Sequence, residues 1–427
     1  MALLSALIVL LTHGLSGTAF SPTPARSVPC FPVKSSSVTN DDACSQDSVT
    51  VKSFSCLLQD KVLPTKRGLR RLRKQMLLSD YEFDYQTNVL VLNKSDDKNS
   101  TSSHRVIMLI HPIGVGIGRW YYDRLLAELK HRENLFTQRT TVIALDLLAC
   151  ASASEPVIDM KQQLVSDKLP LFTVKDWSNQ VIQLMEQYEA STTDTVKWVL
   201  LSNGGCVPIA LDAAAQVPSK VSQVILSAPP RLVGLLRESP SATKLKKAYR
   251  RLSGIAGQVF WWYALRKDGQ FVKTFSERNL AADPSTLGAS WTPTCVATCR
   301  TYPKSRYSTF AFLAGSLQWD CRDTLKTLQT MPIDVIQGGD SRSNPARSWL
   351  WETKRQRPLP VVQSVSEYLQ ENGNGGRERV VGGRRCPAHE DPVGFTVALM
   401  ELLEASEGTT GPTRVTWRDF FQQHKKD

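Results

Sequence analysis

Outside its first nineteen residues the 427-residue chain has no uninterrupted apolar stretch long enough to cross a bilayer, which excludes a polytopic membrane protein. Cysteine is sparse, nine residues at irregular spacing, and that excludes a disulfide scaffold. Cys295 and Cys299 form a C-x3-C pair without a second Cys/His pair nearby, so no metal site is expected. Histidine is scarcer still, with six residues. Acidic residues are missing from Phe20 to Asn40 and again from Lys61 to Lys74. No zinc finger, helix-turn-helix signature or aromatic-rich basic stripe is present, so nucleic acid is not an expected partner. What remains is ordinary globular usage, 41% apolar and 22% charged, with a net charge of +12.

Residues 1–19, MALLSALIVLLTHGLSGTA, hold a short apolar stretch ending in small residues, as a secretory signal peptide does. Residues 20–45 begin with Phe20 and are rich in Ser, Thr and Pro. A signal peptide followed at once by Phe and an acid-free Ser/Pro stretch resembles the bipartite presequence of algae with secondary plastids. The resemblance implies a plastid location, with plain secretion as the alternative. Residues 46–80 read as a basic linker or helix. Within it Lys61, Lys66, Arg67, Arg70, Arg71, Arg73 and Lys74 interleave with Leu69, Leu72, Met76 and Leu77. That spacing suits either a solvated helix or, over residues 61–77, peripheral contact with an anionic membrane.

From Tyr81 short apolar runs alternate with helical patterns. Tyr81–Tyr85 and Asn88–Leu92 read as an opening hairpin. Buried strands are expected at 105–110, 141–145, 196–201, 221–226 and 333–336, with a weak one at 380–381. Helices are expected at 120–130, 174–188, 207–215 and 394–405. Such alternation implies a mostly parallel sheet covered on both faces. Core segments at 81–230 and 329–406 flank a helix-rich, irregular block at 231–328, which reads as an inserted lid. A polar tail occupies 407–427.

Three segments then resemble the α/β-hydrolase fold. His111-Pro-Ile-Gly-Val-Gly116 follows a strand, as the His-Gly-x-Gly turn of that superfamily does. Asp146-Leu-Leu-Ala-Cys-Ala-Ser-Ala153 is similar to its D-x-x-G-x-G-x-S turn, with alanines at 149, 151 and 153. Leu200-Leu-Ser-Asn-Gly204 is similar to the nucleophile elbow G-x-S-x-G, with Leu200 at the first glycine. Within the superfamily the HPIGVG opening resembles a divergent cyanobacterial and plastid group. The resemblance implies Ser202 as nucleophile and the backbone N–H groups of Ile113 and Asn203 as oxyanion donors. It implies an acid after the strand at 333–336, where Asp340 lies one residue early. Its histidine position falls on Arg385, and an arginine stays protonated and cannot serve as base. His389, four residues on, is the remaining candidate.

Two readings stay open. In the first, Ser202, His389 and Asp340 form the triad of a cofactor-free serine hydrolase under a lid bearing Trp261 and Trp262. Its substrate would be an apolar ester, thioester or acyl lipid. In the second the fold is catalytically silent and binds a ligand or protein partner, with Arg384 and Arg385 holding a carboxylate or phosphate.

Overall fold

The computed structural model describes residues 49–62, 78–92, 104–136, 138–156, 169–262, 269–340 and 363–406. Residues 1–45, read above as a presequence, the polar tail (407–427) and the basic stretch at 63–77 lie outside them.

Eight strands form one sheet: β1 (Val49–Val62), β2 (Leu78–Leu92), β3 (His104–Ile110), β4 (Thr140–Leu145), β5 (Val196–Asn203), β6 (Val221–Ser227), β7 (Ile333–Gly338) and β8 (Gly375–Val381). Their order across the sheet is β1-β2-β4-β3-β5-β6-β7-β8. Strands β1 and β2 pair antiparallel, and β2 meets β4 antiparallel. All other pairings are parallel.

Two-residue periodicity splits the central strands between two cores. Val106, Met108, Ile110, Leu200 and Leu226 face one core, with Trp177, Leu184 and Leu211. These come from α2 (Val174–Ala190) and α3 (Val207–Gln216). Ile107, Leu109, Leu201 and Ile225 face the other, with Leu125, Leu126, Phe395 and Leu399. Those last four belong to α1 (Asp123–His131) and α10 (Pro392–Ser406). Helix α2 opens with a capping box in which the Asp176 carboxylate accepts from the Thr173 N–H, satisfying an otherwise unpaired donor.

The chain between β6 and β7 is mostly helical. Its helices include α4 (Ala242–Leu252), α5 (Ile255–Phe260), α6 (Trp291–Thr301) and α7 (Arg306–Ala314). Helix α8 (Val365–Glu371) precedes β8, and the short α9 (Pro387–Glu390) follows it.

The structure corrects the N-terminal reading. Val49–Val62 is a strand, not linker or helix, and Lys61 and Val62 pair with β2 rather than starting an amphipathic helix. Residues 81–92 are one long strand rather than a hairpin. Their hairpin partner is β1, whose alternation is blurred by exposed Val51 and Leu57. His104, one residue before the strand expected at 105–110, opens β3 and is buried, with its Nε2 2.9 Å from the Thr141 hydroxyl.

Candidate functional site

The carboxyl ends of the parallel strands bring together the turns after β3, β4, β5, β7 and β8. In a sheet of this kind, ligands bind beyond those ends. The turn after β3 is fixed by His111, whose ring is buried. Its Nε2 accepts the Leu147 N–H at 3.1 Å, and Nδ1 lies 3.0 Å from the Pro112 carbonyl. That pattern places the proton on Nδ1, and burial lowers the pKa of the ring.

Strand β5 runs two residues further than its apolar run suggests and ends at Asn203. The left-handed residue of the bend is Gly204, with φ +60°. Ser202 is therefore inside the strand, in register with Ile110 and Leu226, and is fully buried. Its hydroxyl has no hydrogen-bond partner among the described residues. This corrects the placement of the nucleophile, since the position lifted above the sheet carries no side chain. The correction also settles Leu200, which is an ordinary core residue of β5. Ser202 and Cys206 are the small residues flanking the bend on either side.

Asn203 moves with this shift. Its amide is a structural hub, accepting from the Tyr121 hydroxyl at 3.2 Å and the Ser227 hydroxyl at 2.8 Å. It also donates to the Arg385 carbonyl at 3.1 Å. The residue after the bend is Gly205, so the N–H that the fold offers an oxyanion there belongs to Gly205, not Asn203. Ile113 keeps its place in the turn after β3, and its N–H lies against the Cys206 thiol. Burial pushes that thiol up to about 12, and the Ile113 N–H acts in the opposite direction.

The other triad candidates are held elsewhere. His389, on α9, is buried with Nε2 3.1 Å from the Leu287 carbonyl. Its ring lies 4.7 Å from that of Trp291 and stacks on Tyr121 at 6.1 Å. Asp340 receives Arg384, whose Nε donates to its carboxylate at 2.6 Å. Arg384 also donates to the Arg278 carbonyl at 3.2 Å. An arginine–carboxylate pair thus sits between the β7 and β8 turns, where the superfamily joins acid to histidine. Arg384 makes that contact. The backbone of Arg385 is anchored at both ends, with its N–H on the Leu280 carbonyl at 3.0 Å and its carbonyl on Asn203. Glu390 shapes the same loop by accepting the Arg384 N–H at 2.8 Å and the Ala282 N–H at 2.6 Å.

The lid closes down on these turns. A Cβ on Gly116 would overlap the backbone of Cys295 in α6, and the Thr309 hydroxyl of α7 donates to the Gly114 carbonyl at 3.2 Å. Trp261 is buried, edge-on to Phe310 at 6.0 Å, and belongs to the lid core rather than to an open cleft. Trp262 is half exposed. Among the described residues no group of three His, Cys, Asp or Glu side chains is placed to hold a metal ion.

Sequence reasoning passed over the residue that organises the turn after β4. Arg119 donates from its backbone and from Nη1 to the buried Asp146 carboxylate, each at 2.7 Å. A basic residue three positions beyond the His111–Gly116 turn gives no local signal of that role. The alanines at the glycine positions do leave a signal. Ala149 and Ala151 keep the left-handed backbone, at φ +60° and +36°. A Cβ in that region is strained by about 1–2 kcal/mol. Ala149→Gly is therefore expected to stabilise the chain by about 0.5–1 kcal/mol after the glycine's extra chain entropy, read as a higher urea midpoint. An unchanged or lower midpoint would reject strain at this turn.

No family model matches the chain, and no curated protein matches it. Among solved structures it is similar to the peroxisomal alpha-beta-hydrolase Lpx1 of Saccharomyces cerevisiae. The TM-score is 0.51 at 12% identity, over 89% of this chain and 96% of that one. It is also similar to a thermophilic esterase from Thermogutta terrifontis, with TM-score 0.47 and 13% identity over 82% and 99% of the two chains. The likeness to the yeast protein, at that identity, establishes the α/β-hydrolase fold and nothing finer.

Proposed function

We propose that this chain is a catalytically silent α/β-hydrolase-fold protein that works by binding a ligand or protein partner. One observation carries the reading: the left-handed bend after β5 is Gly204, while Ser202 is buried within the strand. Acyl transfer needs a nucleophile at the bend, a base within hydrogen-bond reach and an acid that orients the base. Here the bend has no side chain, His389 bonds a carbonyl, and Asp340 pairs with Arg384. A serine hydrolase of esters, thioesters or acyl lipids is the reading this arrangement disfavours. The ligand class that suits the site is a carboxylate or phosphate compound, with the half-buried Arg385 as its anchor.

Folded protein treated with a fluorophosphonate is expected to remain unlabelled at Ser202. Ser202→Ala removes a buried hydroxyl without a partner among the described residues, so it is expected to leave ligand binding intact and raise stability by up to about 1 kcal/mol. Arg385→Ala is expected to weaken binding. Labelling at Ser202, or loss of function in Ser202→Ala with none in Arg385→Ala, would restore the hydrolase reading.

We also propose a plastid location, supported by Phe20 and the acid-free stretch behind it. A reporter fused to residues 1–45 should enter the plastid, and Phe20→Ala should divert it.

A further inference from the structure

Helix α4 presents five basic residues, Lys244, Lys246, Lys247, Arg250 and Arg251, and all five are exposed. No acidic residue lies between Glu238 and Asp268. The helix cannot roll to hide this face, because Tyr249 is buried on its inner side. The Tyr249 hydroxyl donates to the carbonyls of Leu169 and Pro170, both at 3.0 Å. The next helix, α5, carries exposed Ile255 and Val259 one turn apart, at 83% and 55% exposure, and Trp262, two residues past its end, is 50% exposed.

Exposed aliphatic groups beside a basic helix stay costly in water unless something covers them. We infer that the outer surface of α4 and α5 is a docking surface for an anionic lipid bilayer. The five cations match the charge of lipid phosphates. Ile255 and Val259 suit the acyl boundary, and Trp262 suits the interface between the two. A nucleic-acid backbone would satisfy the cations but leave the aliphatic residues in water. This surface lies on the lid and does not depend on the fate of Ser202.

The test uses the full chain and sedimentation with vesicles of pure phosphatidylcholine or of an equimolar phosphatidylcholine–phosphatidylglycerol mixture. Binding is expected to the anionic vesicles only and to weaken as salt rises. The triple variant Lys244→Glu, Lys247→Glu, Arg251→Glu is expected to lose at least about tenfold in affinity. Ile255→Ser with Val259→Ser is expected to weaken binding while the salt dependence persists. All these side chains are exposed, so melting curves should coincide with wild type and exclude misfolding as the cause. The inference is overturned if neither vesicle binds, or if the triple variant binds as wild type does. It is equally overturned if reversal of Lys66, Arg70 and Arg73 alone abolishes binding, which would assign membrane contact to the N-terminal basic stretch.

Discussion

Lowering the pH from about 6.5 to about 4 should remove about 3 kcal/mol of stability through His389 alone. Burial is the main cause, holding the ring at about 4 against an ordinary value of 6.5. The Arg124 guanidinium pushes the same way, while the Leu287 carbonyl partly opposes both. The sign follows from proton uptake. As pH falls through 6.5 the unfolded chain protonates this imidazole and the folded chain does not, so the unfolded state gains. Below about 4 both forms are protonated and the contribution stops changing. His104 and His111 are also lowered by burial and add to the trend in the same direction. His389→Gln isolates the one residue: its urea midpoint should fall less steeply with acid than that of the wild type. Parallel slopes would mean that His389 is not buried as a neutral ring. The aromatic packing that lowers this pKa also keeps the imidazole on a backbone carbonyl, away from base catalysis.

Asp146→Ala is expected to cost about 3–5 kcal/mol, because it leaves Arg119 without its buried counter-charge. The carboxylate is fully buried and also accepts from the Ser152 hydroxyl at 2.5 Å. Arg119 reaches on to Asn88 at 2.8 Å and Gln86 at 2.7 Å, so one guanidinium joins β2, the turn after β4 and the chain after β3. Removing either partner should therefore loosen three segments. The double replacement Arg119→Met with Asp146→Leu should lose less than the two single changes summed, which a double-mutant cycle in urea measures. Strict additivity would show that the pair does not act as a unit.

The strands at 104–110 and 140–145 were legible because burial on both faces demands apolar runs, the strand at 221–227 by Val224–Leu226, and helical periodicity marked α2, α3 and α10. Strand β1 was not legible. At the edge of the sheet it alternates poorly, and the basic residues downstream of it favour a linker reading. The three turns that resemble the superfamily were visible by spacing alone, and all three sit at the expected end of the sheet.

The residues within those turns are another matter. Ser202 and Gly204 match G-x-S-x-G as text, with Leu200 in place of the first glycine, but a two-residue shift fits the backbone better, with Ser202 and Cys206 as the small neighbours and Gly204 at the bend. The sequence by itself determined the layered architecture, since apolar periodicity and turn composition are local properties of the chain. Only the tertiary structure decided which residue stands at the bend and which charge meets Asp340. A left-handed φ is imposed by the close crossing of strand and helix, and an ion pair by where two distant loops meet.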